Sequence, residues 1–314
     1  MAARLTVDCL GLSFQNPVLV ASGTFGYGDE YYDIMPFSRL GGLVTKTVTA
    51  APRQGNPPPR VVETDSGMLN SIGLANVGLE VFIREKLPWI VQHAGGARVV
   101  VNFAGFSVDE FIGVGAGLAG CRGIDALEVN LGCPNVKAGS IHFGADPATV
   151  REVIAGLRGE VGLPLVAKLT PNVADIAALA EVAVEAGADA LSLINTLPGM
   201  KIDVKKRKPA LGMAFGGLSG PALRPVGVAC VYKVYRRLQE MGAGVPVIGI
   251  GGIATGPDAL EYILAGARLV QVGTASFVNP LAAGQVVAEL AAWCENEGIG
   301  DLSELVGVAH HGGN

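Results

Sequence analysis

The chain has 314 residues, half of them hydrophobic and only 16% charged, with 45 glycines and a net charge of −5. That balance describes an α/β protein with a buried parallel sheet and many tight turns, and the acidic excess argues against a nucleic-acid-binding surface. The opening MAARLTVDCL lacks the apolar core of a signal peptide, and charges such as Glu181, Glu185 and Asp189 interrupt the long apolar stretches, so neither export nor a membrane span is expected.

Residues 5–14, with Gly11 in the middle, read as a small hairpin that closes a barrel floor. Short β-rich apolar runs then recur at 18–21, 43–49, 99–103, 126–131, 165–169, 190–194, 247–250 and 269–272. Helical patterns separate them. Ile83, Leu87 and Ile90 fall at helical spacing, as do Val231, Val234, Tyr235 and Leu238. GVGAGLAG at 113–120 follows no clear strand and reads as a small-residue helix rather than a dinucleotide fingerprint. Thr255-Gly256-Pro257-Asp258 reads as a helix start and Gly266 as its stop. The segments EAGADALSLINT and LAGARLVQVGT echo one another as helix, glycine, strand and threonine. Eight such units without a long linker predict a single-domain (β/α)8 TIM barrel spanning residues 1–314, with a doubly wound sheet as the alternative.

Two stretches do not fit the repeat. Residues 53–73, with Pro57-Pro58-Pro59, are too long for a barrel-top connection without a purpose. Residues 201–220 open with a basic run (Lys201, Lys205, Lys206, Arg207, Lys208), which also fits a solvated surface loop. Both follow strands, two and six, whose loops emerge at the catalytic face of such a barrel.

Polar residues cluster where the strands end: Ser22, Lys46 and Thr47, Asn102, Asn130, Lys168, and Asn195 with Thr196. Any one could be a satisfied core group, but six strands repeating the pattern point to one pocket at the C-terminal mouth. Lys46 and Lys168 lie in apolar strands, where an unpaired ammonium is costly; each needs an anion, an electron-rich ring or a core carboxylate such as Glu128. Gly249-Ile250-Gly251-Gly252 and Gly273-Thr274 end the last two strands, where glycines let backbone N–H groups approach a phosphate or simply make tight turns. The five cysteines (Cys9, Cys121, Cys133, Cys230, Cys294) form no CxxC pair, which fits a reducing, cytoplasmic setting and gives no support for a metal site. Cys133 stands apart from the others: in EVNLGCPNVKAG an apolar run ends abruptly and places the thiol on a loop between Asn130 and Asn135.

Together ASGTFGYG, TKTVT, NSIGLAN, VNLGCPNVKAG, INTLPGM, GGLSGPALRP, IGIGGI and VGTASF, in this order over nearly the whole chain, resemble the class 1 dihydroorotate dehydrogenases. The loop NTLPGMKIDVKKRKP and GGLSGPALRP look more like the NAD-linked subclass 1B catalytic subunit than the fumarate-reducing 1A enzyme. A reductase of uracil or thymine resembling dihydropyrimidine dehydrogenase, or a non-catalytic flavin-binding barrel, are the other readings. The resemblance implies one FMN per chain, a homodimer, and a partner subunit carrying FAD and a [2Fe–2S] cluster in a heterotetramer. It implies Cys133 as the base that takes the C5 proton of dihydroorotate. An unperturbed thiol has a pKa near 8.5, so the rate should climb toward pH 8 to 9. Lys46, Asn70, Ser71, Ile72, Gly73, Leu74, Asn130, Asn135, Asn195 and Thr196 are implied at the substrate. Ser22, Lys46, Thr47, Asn102, Asn130, Lys168, Ile194, Gly220, Gly251, Gly252, Gly273 and Thr274 are implied at the flavin. Leu131-Gly132 departs from the family's more frequent Ile-Ser before the cysteine and removes a hydroxyl there.

Overall fold

Eight parallel strands close on themselves in a computed structural model that describes residues 3–132 and 144–311. They are β1 (Val18–Val20), β2 (Gly42–Val44), β3 (Arg98–Phe103), β4 (Ala126–Asn130), β5 (Leu165–Leu169), β6 (Ala190–Leu193), β7 (Val247–Ile250) and β8 (Ala267–Val272). Each pairs with its sequence neighbours, and β8 returns to β1 with Val270 opposite Val18 and Val272 opposite Val20. This is the (β/α)8 barrel expected from the eight apolar runs. Strands buried on both faces read as unbroken apolar stretches, which is why these segments lack alternation.

The second strand falls furthest short of its run. The second run continues as extended chain beyond Val44, joined to the barrel by the Val48–Phe103 bridge. Lys46 and Thr47 therefore lie past the end of β2. The first crossover also departs from the repeat, connecting β1 to β2 by turns and a short 3-10 segment, Phe37–Arg39, instead of an α-helix. The helix before β3 widens to π geometry over Phe82–Lys86. Pro88 offers no N–H to the carbonyl one turn back, and a wider turn there relieves that loss.

The hairpin pairs Val7–Cys9 with Leu12–Phe14, and Leu10 and Gly11 both take positive φ in the two-residue turn. Val7, Cys9 and Phe14 pack against Leu19, Val44, Val100, Ala126, Val166, Ala190, Ile248 and Leu269. These come one from each of the eight strands, so the hairpin does plug the barrel's N-terminal end. Burial there pushes the Cys9 thiol up to about 12, a value that leaves it protonated and inert.

The two anomalous stretches explain one another. Val61–Thr64 and Gly67–Asn70, inserted after β2, form one antiparallel pair, Leu197–Met200 and Phe215–Ser219, inserted after β6, form another, and Gly67–Asn70 joins the two by pairing antiparallel with Phe215–Ser219. Leu69 faces Leu218 across that sheet and is buried beneath it. The loops are long because together they build a four-stranded sheet over the C-terminal mouth. Within the basic run Lys205, Lys206, Arg207 and Lys208 are exposed, as a solvated loop would be, while Lys201 donates to the Glu63 carbonyl at 2.7 Å. Among the described residues no helix is long and apolar enough to cross a membrane.

Thr255 starts the helix after β7 (Gly256–Leu264) as a capping box, its hydroxyl accepting from the Asp258 N–H at 3.3 Å while Asp258 accepts from Thr255 N–H at 2.9 Å. Asp258 also accepts from the Ala254 N–H at 3.0 Å and pairs with Arg224, so it ties the loop after β7 to the helix after β6. Thr255→Ala is expected to lower stability by about 1 kcal/mol, and Asp258→Ala by more, since it leaves the Arg224 guanidinium without this partner. Equilibrium urea unfolding of the two variants checks the order; equal losses would contradict it.

Candidate functional site

The tips of the strands and the overlying sheet enclose a cavity with about 1170 Å³ of atom-free space, part of it open to solvent. Ser22 reaches it from the end of β1, Lys46 and Thr47 from beyond β2, and Asn130 and Lys168 from β4 and β5. Ile194, Asn195 and Thr196 enter from beyond β6, Gly251 and Gly252 from beyond β7, and Gly273 and Thr274 from beyond β8. The overlying insertions add Asn70, Ile72, Gly73, Leu74 and Gly220. Nearly every described residue expected at the site thus meets in one cavity.

Ser71 and Asn102 do not line it. Ser71 is 1% exposed, and its hydroxyl accepts from Asn56 Nδ2 at 3.0 Å, so it braces the loop from behind. Asn102 is wholly buried and donates from Nδ2 to Glu128 Oε1 at 2.6 Å, one layer beneath the cavity. Cys133 and Asn135 lie outside the described residues. Gly132, the last residue before that segment, packs so close to Thr170 that an added Cβ would stand 2.8 Å from the Thr170 Cβ. A side chain at 132 therefore needs Thr170 to yield, which is a packing reason for glycine where the family motif more often has serine.

The amides form a linked set. Asn130 donates to the Thr47 hydroxyl at 3.4 Å and accepts from Asn195 Nδ2 at 3.2 Å, while Asn195 accepts from the Thr196 N–H at 2.8 Å. Asn70 donates to the Gly217 carbonyl at 3.3 Å, fixing it to the overlying sheet. These bonds orient the amides at the cavity wall, and an amide with two N–H groups and two carbonyl lone pairs can both give and accept further hydrogen bonds. Asn172 was not anticipated; it donates to the Thr196 carbonyl at 3.1 Å and to the Thr170 hydroxyl at 2.7 Å, propping the tip of β6 from outside. Ser219 was also missed. It lines the cavity and its hydroxyl lies 2.9 Å from the Thr274 hydroxyl. Its place directly before Gly220 was the available signal.

The two lysines differ. Lys168 is 6% exposed and its Nζ lies 3.2 Å from Glu128 Oε1 and 3.2 Å from Ser22 Oγ. Lys46 is half-buried at the cavity wall; burial holds its ammonium below the ordinary lysine range, with Glu30 opposing that shift and Arg60 adding to it. Lys168 thus has its core carboxylate, whereas Lys46 presents a cation to the cavity.

The glycines at the other end of the cavity form a cradle. Gly220, Gly251 and Gly252 have φ of 93°, 129° and 68°, and a Cβ on Gly252 would stand 2.7 Å from the Gly220 carbonyl. Gly273 is different: a Cβ there would meet nothing nearer than the Ala21 methyl at 3.5 Å. The packing of the protein leaves room for a side chain at 273, so the empty space serves whatever occupies the cavity. Backbone N–H groups approachable without side chains suit a phosphate, and the long apolar and polar cavity beside them suits a planar ring system. The residues present fit FMN.

Comparison with known proteins agrees with this geometry. A family model described as dihydroorotate dehydrogenase matches residues 4–293. The chain is 51% identical over its full length, and over the full length of the relative, to a protein of Desulforudis audaxviator named dihydroorotate dehydrogenase B (NAD(+)), catalytic subunit. A Pelobacter propionicus protein of the same name is 49% identical, with 98% of this chain and 99% of that one covered. Among solved structures, that of DHODH from Eimeria tenella in complex with ferulenol superposes with a TM-score of 0.82 at 25% identity, covering 98% of this chain and 89% of that one.

Proposed function

The chain belongs to the dihydroorotate dehydrogenase family, and on that footing we propose that it is the catalytic subunit of an NAD-linked enzyme that oxidises (S)-dihydroorotate to orotate in pyrimidine biosynthesis. The observation that carries the reading is the meeting of a half-buried cation, a linked set of asparagines and a glycine cradle in one cavity at the mouth of the barrel. FMN, when bound, accepts the hydride from substrate C6.

Lys46 neutralises the carboxylate of the substrate. Asn70, Asn130 and Asn195, with Asn135, pair with the ring N–H and carbonyl groups, and the Thr196 hydroxyl adds a further contact. The backbone from Ile72 to Leu74, braced by Ser71, closes the substrate side. Ser22, Thr47, Ile194 and Gly220 would line the flavin, with Asn102 acting from the layer below, and Lys168 would supply a fixed charge at the N1–C2 carbonyl edge of the ring. Gly251, Gly252, Gly273 and Thr274 hold its phosphate. Cys133, outside the described residues, takes the proton from C5; its support is the loop motif that follows β4.

The electrons leave to NAD through a second subunit carrying FAD and a [2Fe–2S] cluster, around a homodimeric core. Two observations support a partner: the relatives are named as catalytic subunits, and Met200, Met213, Phe215, Phe277 and Val278 expose apolar surface on the overlying sheet and beside the cavity. The four described cysteines are free, which supports a cytoplasmic setting.

Cys133→Ser should slow anaerobic flavin reduction by dihydroorotate by about 10²–10⁴-fold, the usual contribution of a general base, while FMN and orotate still bind; stopped-flow reduction at the parental rate would refute the assignment. Gly273→Glu should purify without flavin, through clash and charge repulsion with the phosphate, and a fully loaded yellow protein would contradict the cradle. Because burial lowers the Lys46 pKa, the cation is lost as pH rises before an ordinary lysine at 10.5 would lose it. Orotate affinity, read by flavin absorbance titration, should therefore fall within the alkaline range below that value. Lys46→Met should bind weakly without this step, and a parental affinity flat to pH 10.5 would exclude Lys46 as the carboxylate partner.

A further inference from the structure

Beneath the cavity lies a buried charge that the proposed chemistry leaves unused. Glu128 sits within β4, with none of its surface exposed, and both of its oxygens are engaged. Oε1 accepts from Asn102 Nδ2 at 2.6 Å and from Lys168 Nζ at 3.2 Å, and Oε2 accepts from Gln271 Nε2 at 2.7 Å. Lys168 then reaches the Ser22 hydroxyl, and these two residues line the cavity. Strands β3, β4, β5 and β8 and the tip of β1 all contribute to this one cluster.

The arrangement favours the carboxylate over its neighbours. Asn102 and Gln271 each direct an amide N–H to Glu128, yet Asn102 Oδ1 and Gln271 Oε1 are buried without a hydrogen-bond partner among the described residues. Leaving a buried acceptor unmet is unfavourable, so the two amides are oriented to keep an anion here at the expense of their own carbonyls. A buried ion pair seldom stabilises a fold better than apolar packing. Stability alone is therefore a poor reason for the cluster.

We propose that Glu128 is a positioning residue that sets the charge balance of the cavity floor by holding Lys168 in place and offsetting its charge. The inference rests on the reading that Lys168 stands at the flavin edge. Charges in a low-dielectric interior act over several ångströms, so a ring lying on the floor meets a Lys168–Glu128 dipole rather than a free cation. Removing the carboxylate charge leaves the lysine uncompensated and favours added negative charge on the ring.

The test is a redox titration of the FMN-loaded protein, with Glu128→Gln, Lys168→Met and the double variant, alongside thermal melting of the same proteins stripped of flavin. Glu128→Gln should raise the midpoint potential by at least a tenfold change in the two-electron equilibrium, about 30 mV. Lys168→Met should lower it, and in that background Glu128→Gln should restore part of the loss by removing the stranded anion. In melting, Lys168→Met should lose stability by stranding the carboxylate, and the double variant should recover part of it. An unchanged or lowered potential in Glu128→Gln, with Lys168→Met responding as expected, overturns the role of Glu128 alone. A Lys168→Met potential identical to the parent overturns the placement of the flavin instead. Absence of recovery in the melting of the double variant overturns the pairing whatever the flavin does. Should Glu128→Gln fail to fold, a folded double variant supports the coupling, and failure of both overturns it.

Discussion

Closure of the sheet, β8 onto β1, is the constraint from which the site follows. Parallel strands that pair in sequence order all end at the same rim, so side chains separated by more than 200 residues are delivered to one opening. Ser22 and Thr274 are brought to the same cavity by that geometry and by nothing local to either. The hairpin at the other end makes this one-sided. By filling the floor with Val7, Cys9 and Phe14, it seals the N-terminal end with apolar packing and leaves the C-terminal mouth as the place where polar strand tips meet a ligand.

The interior is layered by chemistry as well as by position. Apolar residues fill the floor, the Glu128 cluster lies above them, and the cavity lies above that. Each step toward the mouth exchanges hydrophobic burial for polar groups whose cost is met by specific partners. The middle layer is the expensive one: a lone Glu128 or Lys168 would be an uncompensated buried ion, worth about 3–5 kcal/mol against the fold. Their pairing lets a charged side chain stand at the edge of a cavity without unfolding the barrel around it.

The lid shows how two insertions become one structure. Neither 61–70 nor 197–219 has a buried face of its own; only their pairing gives Leu69 and Leu218 a shared sheet. Gly220 then follows that sheet and lies beside Gly252, so the strands that cover the cavity also bound its glycine cradle.

The eight strands, the helix start at Thr255, the hairpin and most of the residues around the cavity were legible from the sequence, because buried parallel strands, capping residues and polar strand ends are local patterns. The motifs carried the family for the same reason: they are contiguous. The sequence could not tell Lys46 from Lys168, since both are lysines at the end of apolar runs; only the fold gives one a carboxylate at 3.2 Å and the other a cavity wall. Nor could it set Asn102 below the cavity and Asn130 in it, find Gln271 and Asn172, or explain the two long loops. Those outcomes depend on pairings between distant strands and on which layer of the barrel a side chain reaches, and chain order alone does not encode depth.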